Sequence, residues 1–390
     1  MDQMTRCRTK VWVEFQRTGL ASCALMVLFA LASPAQAIET KAREAILMDA
    51  VTGAVLMEKD ADASMPPASM SKIMTAFMVF TRLKEGRLAL DDTLTVSEKA
   101  WRMGGSKMFV EVGKEVRVED LLRGVIVQSG NDACIVLAEG LAGSEEAFSE
   151  EMTVLARAIG MTGSTFANAT GWPDPGHRMT ARDLATLALR TIQEFPDYYR
   201  YYSEKEFVWS DIRQGNRNPL LYKTVGADGL KTGHTEEAGY GLTASAVQGE
   251  RRLILVVNGL ESVRARSEES ERLLRWGFRE FDNYALFQAD ATVDEAPVWL
   301  GEASTVPLVA DKDLVLTLTR KARKGMKVSV NYTSPIPAPI REGQELAQLV
   351  VTPIEGESVS FPLYAGAAIE QKGAFGRLVA AVKFVIFGAP

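Results

Sequence analysis

Pro66-Pro67-Ala68-Ser69-Met70-Ser71-Lys72 opens a run that stays helical in pattern to Leu83. The two prolines bar helix as far as Ala68, so the helix is expected to start at or near Ser69. Ile73, Phe77 and Phe80 recur at helical spacing, and Lys84-Glu85-Gly86 supplies the stop. The step of three residues from Ser69 to Lys72 puts a hydroxyl and an amine on one face. At a helix start, free N–H groups and the positive dipole end favour negative charge developing on an attacked carbonyl oxygen. The amine can take the hydroxyl proton only when it is neutral. Burial and a second nearby cation are the two influences that lower a lysine pKa. Alone, Ser-x-x-Lys reads as a capped helix with a solvent lysine.

Two further motifs change that reading. Ser129-Gly130-Asn131 falls between helical runs at 118–128 and 133–140, where a loop can aim side chains into a cleft. Its hydroxyl can relay a proton to a leaving nitrogen, and its amide can hold a substrate backbone and the Lys72 side chain. Lys231-Thr232-Gly233 lies between Asp228-Gly229-Leu230 and Tyr240-Gly241-Leu242-Thr243, which reads as a strand before a hairpin. Alternation puts Lys231 and Gly233 on one face, where glycine is expected to let a substrate strand approach. A cation beside a hydroxyl suits a terminal carboxylate. Lys223-Thr224-Val225-Gly226, just upstream, lacks the adjacent glycine and the following hairpin.

Around the motifs, strands come first and last. Segments at 45–49 and 54–57 flank Val51-Thr52-Gly53 as one hairpin, and 239–247 and 252–258 form a second. Helical runs at 148–160 and 181–194 lie between, and another at 267–281 closes the domain. This is an α+β, three-layer pattern: one antiparallel sheet closed by both ends of the domain, with a helical cluster against it. From about Leu286, Pro297, Pro307, Pro335, Pro337, Pro339 and Pro353 punctuate short β-rich runs, the pattern of a small all-β module. Its basic stretch, Arg320-Lys321-Ala322-Arg323-Lys324, reads as a solvated turn.

The ends differ from the body. Arg6, Arg8, Lys10 and Arg17 precede an apolar run from Leu20 to Leu31, and Ala35-Gln36-Ala37 has the small-x-small pattern of a signal-peptidase site. The expected organisation is a signal peptide at 1–37, a catalytic domain at 38–285, an all-β domain at 286–372 and a tail at 373–390. In the tail, Phe375, Leu378, Val379, Val382, Val385 and Ile386 share one helical face, as expected of an amphipathic anchor at a membrane surface.

The net charge is −6, and removing the basic leader makes the body more acidic, which argues against nucleic acid as a partner. Cys7 and Cys23 leave with the leader, so Cys134 cannot form an intramolecular disulfide and is expected to be a buried packing residue. His177 and His234 are the two histidines and no cluster has ligand spacing, so no metal or cofactor is expected.

Pro67-Ala68-Ser69-Met70-Ser71-Lys72, Ser129-Gly130-Asn131-Asp132-Ala133-Cys134 and Asp228-Gly229-Leu230-Lys231-Thr232-Gly233-His234-Thr235, with their spacing, resemble the low-molecular-mass penicillin-binding proteins that are D-alanyl-D-alanine carboxypeptidases. The resemblance runs from leader to tail and implies a penicillin-binding transpeptidase or β-lactamase-like domain. It implies Ser69 as acyl-enzyme nucleophile, Lys72 as general base and Ser129 as proton relay with Asn131 beside it. Lys231 and Thr232 of the Lys-Thr-Gly233 strand would bind the substrate carboxylate, and backbone N–H groups of Ser69 and His234 would form the oxyanion hole. The implied reaction removes the terminal D-alanine from peptidoglycan stem pentapeptides in the periplasm, with β-lactams acylating Ser69 as substrate mimics.

Three rivals share the same residues or the same compartment. A D,D-endopeptidase needs the same side chains. A β-lactamase needs rapid deacylation, and no Glu-x-x-Leu-Asn stretch follows Ser129. A non-catalytic cell-wall scaffold would tolerate loss of Ser69 or Lys72, and both are present. His177 is expected on a loop at the cleft edge, with a loop-stabilising role favoured over substrate contact.

Overall fold

A computed structural model describes residues 38–354 and 357–379. The expected signal peptide at 1–37 and residues 380–390 of the expected tail lie outside the described residues. The chain divides into two compact units between Glu280 and Phe281.

In the first unit, both hairpins join one antiparallel sheet. Its order is Val55–Lys59, Glu44–Asp49, Arg251–Leu260, Gly239–Gln248 and Ala227–Thr235. Strands near the two ends of the unit are therefore neighbours at its centre. Period-2 alternation sends Leu253, Leu255 and Val257 to one face and Ile254 and Val256 to the other, and all five are buried. The first set packs with Leu273 and Leu274 of the helix Val263–Glu280. The second set meets the helical cluster, which includes Lys72–Lys84, Asn131–Ala142 and Ala181–Glu194. Phe77 meets Phe195 edge-on at 4.9 Å and Phe80 stacks on Tyr198 at 5.4 Å, joining two helical segments remote in sequence.

Three local departures matter for the site. Ser69 belongs to a 3-10 turn, Ala68–Ser71, and the α-helix starts only at Lys72. Ala68 has φ +49°, a left-handed conformation that costs a non-glycine residue about 1–2 kcal/mol. The run expected at 118–128 is α-helical over Val118–Arg123 and widens into a π-turn over Gly124–Gln128. That wide turn ends on Ser129, itself left-handed at φ +66°. Cys134 is fully buried, and burial pushes its thiol up to about 12, so it is an inert packing residue.

The second unit holds a six-stranded sheet and a two-stranded sheet. Alternate residues Ala347, Leu349 and Val351 of one strand and Leu363 and Ala365 of its neighbour fill a separate core with Val306 and Leu308. It opens on the strand Phe281–Phe287, paired with Leu314–Thr319. The boundary expected at 285/286 falls inside this strand, because the apolar texture that marks the module starts later than its first ladder. Residues 374–379 are helical, with Phe375, Leu378 and Val379 exposed.

Candidate active site

The 3-10 turn presses against the last strand of the sheet, Ala227–Thr235, which is an edge strand. A Cβ on Gly233 would lie 2.8 Å from the Pro67 carbonyl oxygen and 3.2 Å from the Ala68 Cβ. This glycine therefore admits the turn that carries Ser69, and it also lines the cleft where a substrate strand is expected. The outer edge of the strand is the side free to take a further extended chain.

Lys72 Nζ lies 2.9 Å from Ser69 Oγ and 2.7 Å from Asn131 Oδ1, and donates to the Thr170 carbonyl. All three contacts are to oxygens without formal charge. The lysine is 1 % exposed, and burial as the leading cause pushes its pKa down to about 8. Lys231 is also buried, and its Nζ reaches the Thr232 carbonyl at 3.3 Å. Burial first, and repulsion from Lys72 second, push it well below the usual lysine range. Lys72 thus acts on Lys231, but the cation that acts on Lys72 is Arg217, where the sequence suggested Lys231, and loss of water is the largest effect on both amines.

Ser69, Ser129, Thr232, Gly233 and His234 line a cleft of about 280 Å³ together with Ser106, Arg217, Tyr240, Val263 and Arg266. Lys72, Asn131 and Lys231 stand behind this surface. No carboxylate lines the cleft among the described residues, whereas two guanidinium groups do. Arg217 donates to Ser106 Oγ at 2.6 Å, and Arg266 lies 5.8 Å from the Tyr240 ring, which stacks on His234 at 3.9 Å. Burial lowers both arginines, Arg266 to about 10, so both remain cations at neutral pH. A hydroxyl next to a buried amine, facing a cationic cleft beside a free strand edge, can acylate on a peptide that ends in a carboxylate.

The family profile described as D-alanyl-D-alanine carboxypeptidase matches residues 31–262, and the profile of the penicillin-binding protein 5 C-terminal domain matches residues 281–371. The chain belongs to the D-alanyl-D-alanine carboxypeptidase family. It is 42 % identical to D-alanyl-D-alanine carboxypeptidase DacC of Escherichia coli over 359 residues, 90 % of each chain. Among solved structures, penicillin-binding protein 5 from Haemophilus influenzae superposes with a TM-score of 0.79 at 35 % identity, covering 86 % of this chain and 99 % of that one. The ampicillin-bound form of penicillin-binding protein D2 from Listeria monocytogenes superposes at 0.57 and 31 % identity, covering 62 % and 98 %.

In this member of the family, all eight residues singled out from sequence converge, five on the cleft surface and three directly behind it. His177 does not join them. It is buried, edge-on to Phe166 at 5.4 Å, with Nδ1 accepting from the Ala167 N–H at 3.3 Å, and burial first lowers it to about 4. It therefore stabilises its loop as a neutral ring.

Asp132 adjoins the Ser129-Gly130-Asn131 motif but is not among the residues that the motifs single out. Its carboxylate is buried and accepts the N–H groups of Met108, Phe109, Val110 and Ala133 at 2.8–3.2 Å. That loop in turn supplies the Gly104 carbonyl to Asn131 Nδ2 at 2.9 Å and the Ser106 carbonyl to the Asn131 N–H at 2.7 Å. Asp132 thus ties the wall of the cleft to the amide that holds Lys72. Replacing it by alanine orphans buried donors, each worth about 1–3 kcal/mol. Denaturant unfolding of Asp132→Ala is expected to show a loss of about 3 kcal/mol or more, whereas a change within ~0.5 kcal/mol would refute the tie.

Proposed function

We propose that the protein removes the terminal D-alanine from peptidoglycan stem pentapeptides through an acyl-enzyme on Ser69, with Lys72 as general base. Ser69 Oγ attacks the carbonyl of the penultimate D-alanine as its proton passes to Lys72 Nζ. The new C–O bond gives a tetrahedral oxyanion held by the N–H groups of Ser69 and His234. Collapse breaks the C–N bond, and the proton reaches the leaving amine from Lys72 by way of Ser129. Water then attacks the ester, its proton returns through the amine, and Ser69 is regenerated.

The observation that carries this reading is the 2.9 Å pairing of Ser69 with a lysine that burial holds near 8. Support for a carboxypeptidase comes from the cationic cleft. Thr232 with the guanidinium groups of Arg217 and Arg266 faces the cleft, and Lys231 lies beneath, a setting suited to a substrate carboxylate. An endopeptidase would use the same acylating groups. Against a β-lactamase, no carboxylate lines the cleft among the described residues to activate a hydrolytic water.

A pentapeptide ending in D-Ala-D-Ala is expected to lose one D-alanine with the wild type and none detectable with Ser69→Ala. Ampicillin should add one covalent equivalent by intact mass, mapped to Ser69 and persisting for minutes. Failure to release D-alanine, or turnover of ampicillin faster than the peptide, would contradict the proposal.

We further propose a periplasmic location at the membrane surface, with the tail from Gly373 onward as its anchor. Among the described residues no helix is long and apolar enough to cross a membrane, while Phe375, Leu378 and Val379 present apolar side chains to solvent. Deleting residues 373–390 is expected to move the protein from the membrane fraction to the soluble one. Retention on the membrane would rule out the tail as anchor.

A further inference from the structure

A second recognition element stands beside the cationic cleft, over the two glycines that precede Ser106 in its lining. Behind Ser69, Lys72 contacts the Thr170 carbonyl, and two residues further on stands Trp172, a large apolar side chain left 46 % exposed. An exposed tryptophan beside a reactive serine needs a reason, and its surroundings are built to hold it.

The segment Asn168–Trp172 wraps round the Asn168 side chain. Asn168 Oδ1 accepts the N–H groups of Thr170, Gly171 and Trp172 at 2.8–3.1 Å, and Nδ2 donates to the Trp172 carbonyl at 3.0 Å. Gly171 abuts the Ala68 carbonyl and Ser71 Oγ, which fixes the segment to the turn that carries Ser69. The indole lies over Gly104 and Gly105. A Cβ on Gly105 would come within 3.0 Å of the Trp172 ring and 2.8 Å of Asn131 Nδ2. One glycine thus leaves room for both the ring and the amide that holds Lys72. The ring is supported from below by backbone and open to solvent elsewhere, a rigid platform of the kind that contributes contact area at small entropic cost.

Its position sets what it can touch. The leaving D-alanine and its carboxylate belong with Arg217, Thr232 and Arg266, so the acyl portion of the substrate must extend from Ser69 the other way. Ser69 pairs with Lys72 at 2.9 Å and Lys72 with Asn131 at 2.7 Å, and Gly105 sits so close to both the Asn131 amide and the indole that a Cβ there would clash with each. The neighbour of the attacked D-alanine lies only about 3.5 Å further along an extended chain, so a long side chain on it is the part of the acyl portion placed to meet the indole.

We propose that Trp172 is a specificity-determining residue, a platform for the extended aliphatic side chain of the residue that precedes D-Ala-D-Ala. Methylene groups of such a chain lose water against the indole, and an amine at its tip can stay solvated or lie over the ring face. The proposal rests on the carboxypeptidase reading of the same cleft, so its test must separate the two.

Two substrates do this: diacetyl-L-lysyl-D-Ala-D-Ala, with a long side chain at the position concerned, and acetyl-L-alanyl-D-Ala-D-Ala, without one. The wild type is expected to favour the lysyl substrate in kcat/KM. Trp172→Ala should lower kcat/KM about tenfold for the lysyl substrate and by a clearly smaller factor for the alanyl one, collapsing the preference, while Trp172→Phe should keep most of it. An equal loss on both substrates, or no loss on either, would overturn the platform while leaving the carboxypeptidase reading intact. Wild-type protein that releases D-alanine from neither substrate would remove the carboxypeptidase reading and the platform with it.

Discussion

The site depends on a lysine that has been taken out of water. An amine takes a proton from a hydroxyl only in its neutral form, and an ordinary lysine is almost wholly protonated at neutral pH. Here the helix that begins at Lys72 starts inside the protein, so its first side chain is enclosed as soon as the helix forms. The groups that receive its N–H bonds are a hydroxyl, a side-chain amide and a main-chain carbonyl. Such acceptors satisfy the amine without the full attraction that a contacting carboxylate would exert on its charged form. The nearest acidic device, Asp132, is occupied by four N–H groups of its own neighbourhood and serves as a structural tie.

That requirement explains why such distant segments meet. The central strand, Arg251–Leu260, and its neighbour Glu44–Asp49 come from opposite ends of the first unit, which closes the domain and leaves Ala227–Thr235 on an edge. An edge strand is usually a liability, yet here it borders the cleft, where an extended substrate can use it. Permanent positive charge in the cleft comes from Arg217 and Arg266, which hold their protons far better than a buried lysine does. The division is chemically sensible: guanidinium groups suit a carboxylate, and depressed amines suit proton transfer.

Much of this was legible in the chain. Ser69 and Lys72 share a local helical step, and the pattern around Ala181–Glu194 predicted that helix to the residue. The three motifs named the side chains that converge. What escaped reading was either irregular or long-range. The 3-10 turn at Ser69 and the π-turn before Ser129 break the periodicity on which helical patterns depend. Arg217 and Arg266 are single cations in unremarkable segments, and only the packing of strand and helix brings them to the cleft. Asp132 adjoins a motif, but its partners lie on a loop more than twenty residues earlier. At Gly233 the sequence shows that space is needed but not that the turn carrying Ser69 is one of the neighbours that need it.

Burial brings the Lys72 pKa down to about 8, so a usable fraction of the amine is neutral near physiological pH. The direct measurement is the second-order rate of acylation of Ser69 by benzylpenicillin as a function of pH. Because the lysine pKa is lowered, the reactive neutral form is lost as pH falls. The rate should therefore rise by about tenfold per unit at low pH and level off near pH 8. A rate that keeps climbing towards 10.5, the ordinary lysine value, would show that the amine is not depressed and would contradict the account.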